Sequence, residues 1–236
     1  IIYADKKLID YIINKTTEMS IYRYNTQIKQ GFITTDKGIR IGLAGEVVVD
    51  ERGEVKTIKN LNGLVIRIPH EIKNCASEIL PYILDENGVK NTLIISPPGC
   101  GKTTMIRDLS RLLSMEEKLY NILVVDERYE IAGAEDGSAR MDVGLTSDVV
   151  SGGNKEFAFS GGIRALKPDV IITDEIGSKS DARSIKQTVL SGVKIIATAH
   201  AKDANELKKK NSFVELLKDK VFENNNEGVN ILEKAE

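Results

Sequence analysis

A lysine in a glycine-bearing loop most constrains the chemistry of this chain. Ser96-Pro97-Pro98-Gly99-Cys100-Gly101-Lys102-Thr103-Thr104 leaves an apolar run and enters a segment with Ile106, Leu109 and Leu113 on one helical face. Strand, loop and helix in this order form the context of the phosphate loop. Gly99 and Gly101 lack Cβ, so the backbone can curl and turn its N–H groups inward, and the helix adds its positive N-terminal end. The spacing implies that residues Pro98, Gly99, Cys100, Gly101, Lys102, Thr103 and Thr104 hold a nucleoside triphosphate. Lys102 would reach the β- and γ-phosphates, and the Thr103 hydroxyl would coordinate Mg²⁺. The motif's usual first glycine is Ser96 here, at a position that shapes the loop entry rather than touching phosphate.

Three further apolar runs end in polar residues. Val170-Ile171-Ile172-Thr173 delivers Asp174 and Glu175; Asp174 suits the Walker B role of holding Mg²⁺, and Glu175 the role of general base or water-positioning group. Leu123-Val124-Val125 delivers Asp126 and Glu127, which could share that work, or Glu127 and Arg128 could be a solvated pair. The run 193–198 leads to Ala199 and His200, a histidine able to sense a γ-phosphate at a strand tip.

The elements that must position these residues alternate. Apolar stretches 92–95, 122–125, 170–173 and 193–198 suit strands buried on both faces of a parallel sheet, with helices between them. Residues 69–236 therefore read as an α/β, RecA-like P-loop domain. Residues 1–68 read as a smaller α+β domain: a helix over 5–30 carrying Ile21, Tyr24 and Ile28 and stopped by Gly31, then short strands at 32–35, 39–43, 46–49, 55–58 and 64–68. Asp50-Glu51-Arg52-Gly53 is a hairpin turn, Pro69 marks the boundary, a helix follows over 70–84, and Asn87-Gly88 is a turn. A helix over 208–220 and a hairpin around 224–228 complete the expectation. Ser160-Gly161-Gly162 falls in the segment before Walker B where an unbroken helix is expected, and two glycines cost a helix about 1 kcal/mol each there.

Composition narrows the classes. With 33 basic and 35 acidic residues, the net charge of −2 provides no global attraction to nucleic acid or to an anionic surface. Cys75 and Cys100 lie far apart, form no zinc spacing, and fit a reducing, cytoplasmic compartment. No apolar run approaches the ~18 residues of a membrane span, and no signal-peptide pattern opens the chain. The first residue is Ile1 rather than Met, which suggests a missing N-terminal piece.

Taken together, the phosphate loop, Asp126-Glu127, Asp174-Glu175 and the strand ending at His200 resemble the Walker A, Asp box, Walker B and His box of the secretion and pilus-retraction ATPases. Within that superfamily the chain is most similar to the stage III sporulation protein AA family. The matching stretches are Tyr22-Arg23 through Gly31-Phe32-Ile33-Thr34, Gly42-Leu43-Ala44-Gly45, Asp126-Glu127-Arg128 with Glu130-Ile131-Ala132-Gly133, Asp142-Val143-Gly144, Lys167-Pro168-Asp169-Val170-Ile171, and Gly192 to His200. The resemblance implies a hexameric ATP-hydrolysing motor with ATP and Mg²⁺ as ligands. It would be cytoplasmic, peripheral at the inner face of a channel between mother cell and forespore. Its partners would be other copies of itself and the channel proteins of the sporulation apparatus, with no nucleic acid and no membrane insertion. Arg128, Arg140, Arg164 and Arg183 are all candidates for an arginine acting across a subunit boundary.

Rival readings share the core. Ser151-Gly152-Gly153-Asn154 resembles the signature loop of ABC-type ATPases, and His200 fits their histidine switch. Against that, residues 103–150 contain no glutamine and are too few for the inserted helical subdomain. A nucleic-acid motor would need a basic, aromatic-lined track. This chain has no Trp, and Lys208-Lys209-Lys210 reads as a solvated helix face. Glu175 argues against a nucleotide-dependent platform that never hydrolyses.

Overall fold

The computed structural model describes residues 4–18, 20–35, 39–68, 71–134, 137–219, 221–222 and 230–233. Pro69, Lys220 and the expected hairpin at 224–228 lie outside them. The chain divides into two compact units, Ile1–His70 and Glu71–Glu236.

In the first unit the expected long helix is broken. Helix α1 (Lys6–Thr16) starts on the Asp5 side chain and ends where the Thr17 hydroxyl donates to the Ile13 carbonyl and Glu18 turns left-handed. A short 3₁₀ turn and helix α2 (Asn25–Lys29) follow, stopped at Gly31, whose φ of 86° the absence of Cβ permits. Strands β1 (Phe32–Thr34), β2 (Arg40–Val49) and β3 (Val55–Arg67) form an antiparallel sheet. The strands expected as separate pieces at 39–43 and 46–49 are one, as are those at 55–58 and 64–68. The register shift between Ala44 and Glu46 is a bulge within the ladder rather than a break. Ile13, Tyr24, Ile28 and Ile33 form the core of this unit.

The second unit begins with turns where a helix over 70–84 is expected; only α3 (Leu80–Ile83) is helical. The backbone there bonds elsewhere. The Ala76 N–H donates to the buried Asp108 carboxylate, Asn74 is left-handed and accepts from Arg111, and Pro81 has no N–H to give. A short hairpin, β4 (Leu84–Asp85) and β5 (Gly88–Val89), turns through Glu86 and Asn87, one residue before the expected Asn87-Gly88, and Gly88 pairs with Asp85. The remaining elements are β6 (Thr92–Ser96), α4 (Lys102–Leu113), β7 (Ile122–Asp126), β8 (Ser147–Ser151), α5 (Lys155–Leu166), β9 (Val170–Thr173), α6 (Lys179–Leu190), β10 (Lys194–His200), α7 (Ala204–Lys208), α8 (Asn211–Lys218) and β11 (Asn230–Glu233).

All pairings in this six-stranded sheet are parallel, in the order β11-β6-β10-β9-β7-β8. Alternate residues along each strand enter different cores. Leu93, Leu123, Ile171 and Ile195 pack with Phe159, Ile185 and Phe213 of α5, α6 and α8. Ile94, Val124, Ile172 and Ile196 pack with Ile106, Leu109 and Leu113 of α4. Burial on both faces is why the strands read as unbroken apolar runs. Between α4 and β8 the described residues hold β7 and loops, with no helical subdomain of the ABC kind. The helix expected over 208–220 is split into α7 and α8 at Lys209 and Lys210.

Helix α5 runs unbroken through Gly161 and Gly162, despite the helix cost of the two glycines. The two glycines differ. A Cβ on Gly162 would stand 2.3 Å from Leu123 Cδ2, so the helix lies against β7 only because that carbon is missing. A Cβ on Gly161 would meet the Phe157 ring at 3.8 Å, ordinary contact. Opposite signs follow for neighbouring substitutions. Gly161→Ala should stabilise by about 0.5–1 kcal/mol through helix propensity. Gly162→Ala should destabilise by about 1–3 kcal/mol, because Leu123 is fully buried and has nowhere to move. Urea denaturation of both variants checks the pair.

Candidate functional site

Register assembles the site. His200 is level with Ser96 across β10 and β6, Ala197 with Thr173 across β10 and β9, Val125 with Thr173 across β7 and β9, and Ser151 with Asp126 across β8 and β7. The phosphate loop, His200, Asp174-Glu175, Asp126-Glu127 and Ser151 therefore leave the sheet at one C-terminal edge, where parallel α/β sheets bind ligands.

Gly99 and Gly101 have φ of 83° and 77°, so the loop needs glycine at both. Gly101 is the N-cap of α4 and offers no side-chain acceptor, which leaves the first N–H groups of a twelve-residue helix without a side-chain cap. Lys102 is 5% exposed. Its Nζ donates to the Ser96 carbonyl (2.8 Å), the Pro97 carbonyl (2.9 Å) and Ser96 Oγ (3.1 Å), and stands 2.9 Å from His200 Nδ1. The other ring nitrogen of His200, Nε2, faces Glu175 Oε1 at 3.6 Å. Serine in place of the usual first glycine thus gives Lys102 a further oxygen. Cys75 and Cys100 form no disulfide; their thiols donate to the carbonyls of Thr104 and Pro98.

Glu175 is braced from several sides. Arg128 Nη1 donates to its Oε2, His200 faces its Oε1, and its own N–H donates to Thr198 Oγ1 at 2.9 Å. Asp174 is 3% exposed, and its Oδ1 has no hydrogen-bond partner. Burial pushes its pKa up to about 7, opposed by the nearby Lys155 ammonium and reinforced by Asp126 and Glu130. A cation placed beside it would favour the charged carboxylate.

Asp126, expected as one of two acids able to orient water, is held by its own loop. It is completely buried, and its two oxygens accept the N–H groups of Glu130 and Ala132, both at 2.8 Å. Arg107 from α4 caps the Glu130 and Ile131 carbonyls of the same loop. The Asp126 carboxylate is thus committed to shaping the loop that carries Glu127 and Arg128. Glu127 is half-exposed, its Oε2 3.4 Å from Lys155 Nζ. Arg128 is engaged within its own chain, whereas Arg140, Arg164 and Arg183 are exposed.

Two lysines at this edge were not singled out by sequence. Lys155, 7% exposed at the start of α5, donates to the carbonyls of Asp174 and Glu175. Lys210, read as part of a solvated face, donates to the His200 carbonyl. The signal for Lys155 is its place one residue past the N-cap Asn154, at the first position of the helix that precedes β9.

These residues fit a nucleotide with Mg²⁺. The uncapped end of α4 and Lys102 supply donors for phosphate oxygens, and Asp174 Oδ1, which has no hydrogen bond, supplies a buried acceptor. Among the described residues no three His, Cys, Asp or Glu side chains converge as a metal cage. Mg²⁺ is commonly held by one or two carboxylates together with substrate phosphates and water.

Solved structures share this fold. The ATPase DotB of Legionella pneumophila superposes with a TM-score of 0.53 at 15% identity, over 87% of this chain and 57% of that one. The pilus retraction motor PilT, solved with bound ADP, superposes with a TM-score of 0.51 at 15% identity, over 79% of this chain and 54% of that one. The second unit is thus a RecA-like α/β core. Among sequences, the stage III sporulation protein AA of Bacillus subtilis is 36% identical over 217 residues, 90% of this chain and 69% of that protein. An uncharacterized ycf45 protein of Cyanidium caldarium is 30% identical over 69% of this chain, which spans 49% of it. The family model described as sporulation stage III, protein AA matches residues 4–234, and the chain belongs to that family.

Proposed function

We propose that this chain is a Mg²⁺-dependent ATPase of the secretion-motor kind. The observation that carries the reading is the line of contacts Lys102–His200–Glu175, which joins the phosphate-loop cation to a strand-end carboxylate across one sheet edge. In this reading residues 98–104 cradle the phosphates, with Lys102 on the β- and γ-phosphates. Thr103 and Asp174 hold Mg²⁺, which when bound neutralises charge on the phosphate oxygens. Glu175 orients the attacking water and accepts its proton, giving ADP and phosphate from ATP and water. His200, in contact with both Lys102 and Glu175, reports the γ-phosphate to the carboxylate. Asp126 shapes its loop and takes no proton. The absence of an inserted helical subdomain among the described residues supports this reading over the ABC type.

The family supports a further step: a motor acting in sporulation, energising the channel between mother cell and forespore from its cytoplasmic face. No helix among the described residues is long and apolar enough to cross a membrane; in this reading channel proteins are the motor's partners there. Assembly as a hexamer would let an arginine of one copy stabilise charge in the next. The exposed Arg140, Arg164 and Arg183 suit that role better than Arg128, which would first have to leave Glu175.

Lys102→Ala should abolish detectable hydrolysis and weaken ATP binding; near-normal turnover by the folded variant would sink the reading. For the base, Glu175→Gln should retain ATP and slow single-turnover hydrolysis by about 10²-fold or more. Glu127→Gln should be mild, and the opposite ranking would transfer the role to Glu127. For assembly, ATP with Mg²⁺ should drive Glu175→Gln protein into a ring. Wild-type activity per subunit should rise over the same concentrations. A trapped form that sediments as a monomer throughout would mean that one chain completes the site.

A further inference from the structure

A buried lysine is rare unless its charge is matched, and Lys155 is matched in an unusual way. Its ammonium has three protons. Two go to consecutive backbone carbonyls, those of Asp174 and Glu175, each at 2.9 Å. The third is left for an acidic pair from different strands, Glu127 Oε2 at 3.4 Å and Asp174 Oδ1 at 3.7 Å. One cation thus touches the ends of both β7 and β9. On the β10 side the same backbone is held by Thr198, whose Oγ1 accepts the Glu175 N–H and whose carbonyl accepts the Ile176 N–H. The peptides that aim Asp174 and Glu175 are therefore fixed from both flanks, and Lys155 supplies the flank facing β7.

Lys155 is itself placed by a short loop. Ser151 ends β8 level with Asp126, Gly152 and Gly153 turn with φ of 71° and 74°, and Asn154 caps α5 through the Glu156 N–H. The Gly152 N–H donates to the Asp126 carbonyl, so the loop is anchored to the strand end that Lys155 reaches.

We propose that Lys155 is a positioning residue: it sets the Asp174-Glu175 backbone and holds Glu127 beside it, so that the Walker B carboxylates meet the nucleotide in one fixed arrangement. This rests on the ATPase reading for its effect on turnover, but the clamp on the backbone is a property of the chain alone. The resemblance of Ser151–Asn154 to an ABC signature loop then has a different meaning. In this chain the loop delivers a cation to its own Walker B edge.

The test uses the full chain with Lys155→Met and Lys155→Arg. Without nucleotide, amide hydrogen exchange over 174–177 should be about 10-fold or more faster in Lys155→Met, with strand β6 unchanged. A fluorescent ATP analogue should bind within about 3-fold of wild type, while single-turnover hydrolysis falls about 10²-fold, the cost of a misplaced reacting group. Lys155→Arg, which keeps a cation with donors, should fall between wild type and Lys155→Met. Unchanged exchange at 174–177 in folded Lys155→Met would overturn the proposal, as would wild-type hydrolysis by that variant. Affinity and rate falling together, with the Arg variant no better than Met, would also overturn it. Should Lys155→Met not fold, Lys155→Arg decides: a lower rate at retained affinity supports the clamp, and a wild-type rate refutes it. Wild-type protein that never hydrolyses ATP would remove the ATPase reading, and the exchange measurement would still decide the clamp.

Discussion

Parallel register is the constraint on which the rest of this structure depends. Because β6, β10, β9, β7 and β8 run parallel in fixed register, His200 ends level with Ser96, Thr173 level with Ala197 and Val125, and Ser151 level with Asp126, and all five strand ends leave the sheet at its C-terminal edge. A slip of one residue in any strand would exchange its two buried faces and also withdraw its polar tip from the site. The two apolar cores that hold the register are therefore what brings Lys102 to His200 and His200 to Glu175. Stability and chemistry use the same alternation, since Ile171 and Ile172 point to different cores one step before the acids begin.

Crowding Asp126, Glu127, Asp174 and Glu175 at one edge carries an electrostatic cost. The structure offsets it with a separate arrangement for each carboxylate. Asp126 is fully buried and satisfied by two backbone N–H groups. Glu175 is paired with Arg128 and Glu127 with Lys155. Asp174 Oδ1 has no hydrogen bond, only the Lys155 ammonium at 3.7 Å, and burial raises the pKa of this carboxyl to about 7. A buried acceptor left without a hydrogen bond costs about 1–3 kcal/mol, and here the cost falls on the carboxylate whose proposed role is to meet a cation. The uneven treatment of four similar side chains separates structural from chemical roles more sharply than their sequence context does.

The sheet was legible because each of its four central strands is an uninterrupted apolar run followed by polar residues, a pattern that burial on both faces enforces. The phosphate loop was legible because its glycines are dictated by backbone conformation. Strand β8 was not, since Ser147, Asp148 and Ser151 leave only Val149 and Val150 as a signal, as expected of an edge. The expected helix over 70–84 failed because its partners lie far along the chain: Asp108 takes the Ala76 N–H, and Arg111 donates to the side chain of the left-handed Asn74. Gly161 and Gly162 look alike in sequence, and only the position of Leu123 tells them apart.

Lys155 and Lys210 illustrate a wider limit on reading sites from sequence. Each acts on backbone carbonyls, Lys155 on those of Asp174 and Glu175 and Lys210 on that of His200. A side chain that binds a carbonyl places no demand on the residue type it meets, so no paired motif records the contact. Strand-end acids and histidines advertise their chemistry by type and spacing. The cations that orient them do not, because their targets are common to every residue. In a site built at the edge of a parallel sheet, the chain beyond each strand is free of the ladder, and such lysines take over where the ladder stops. Lys155 does this for the end of β9 and Lys210 for the end of β10, the two strands that carry Asp174, Glu175 and His200.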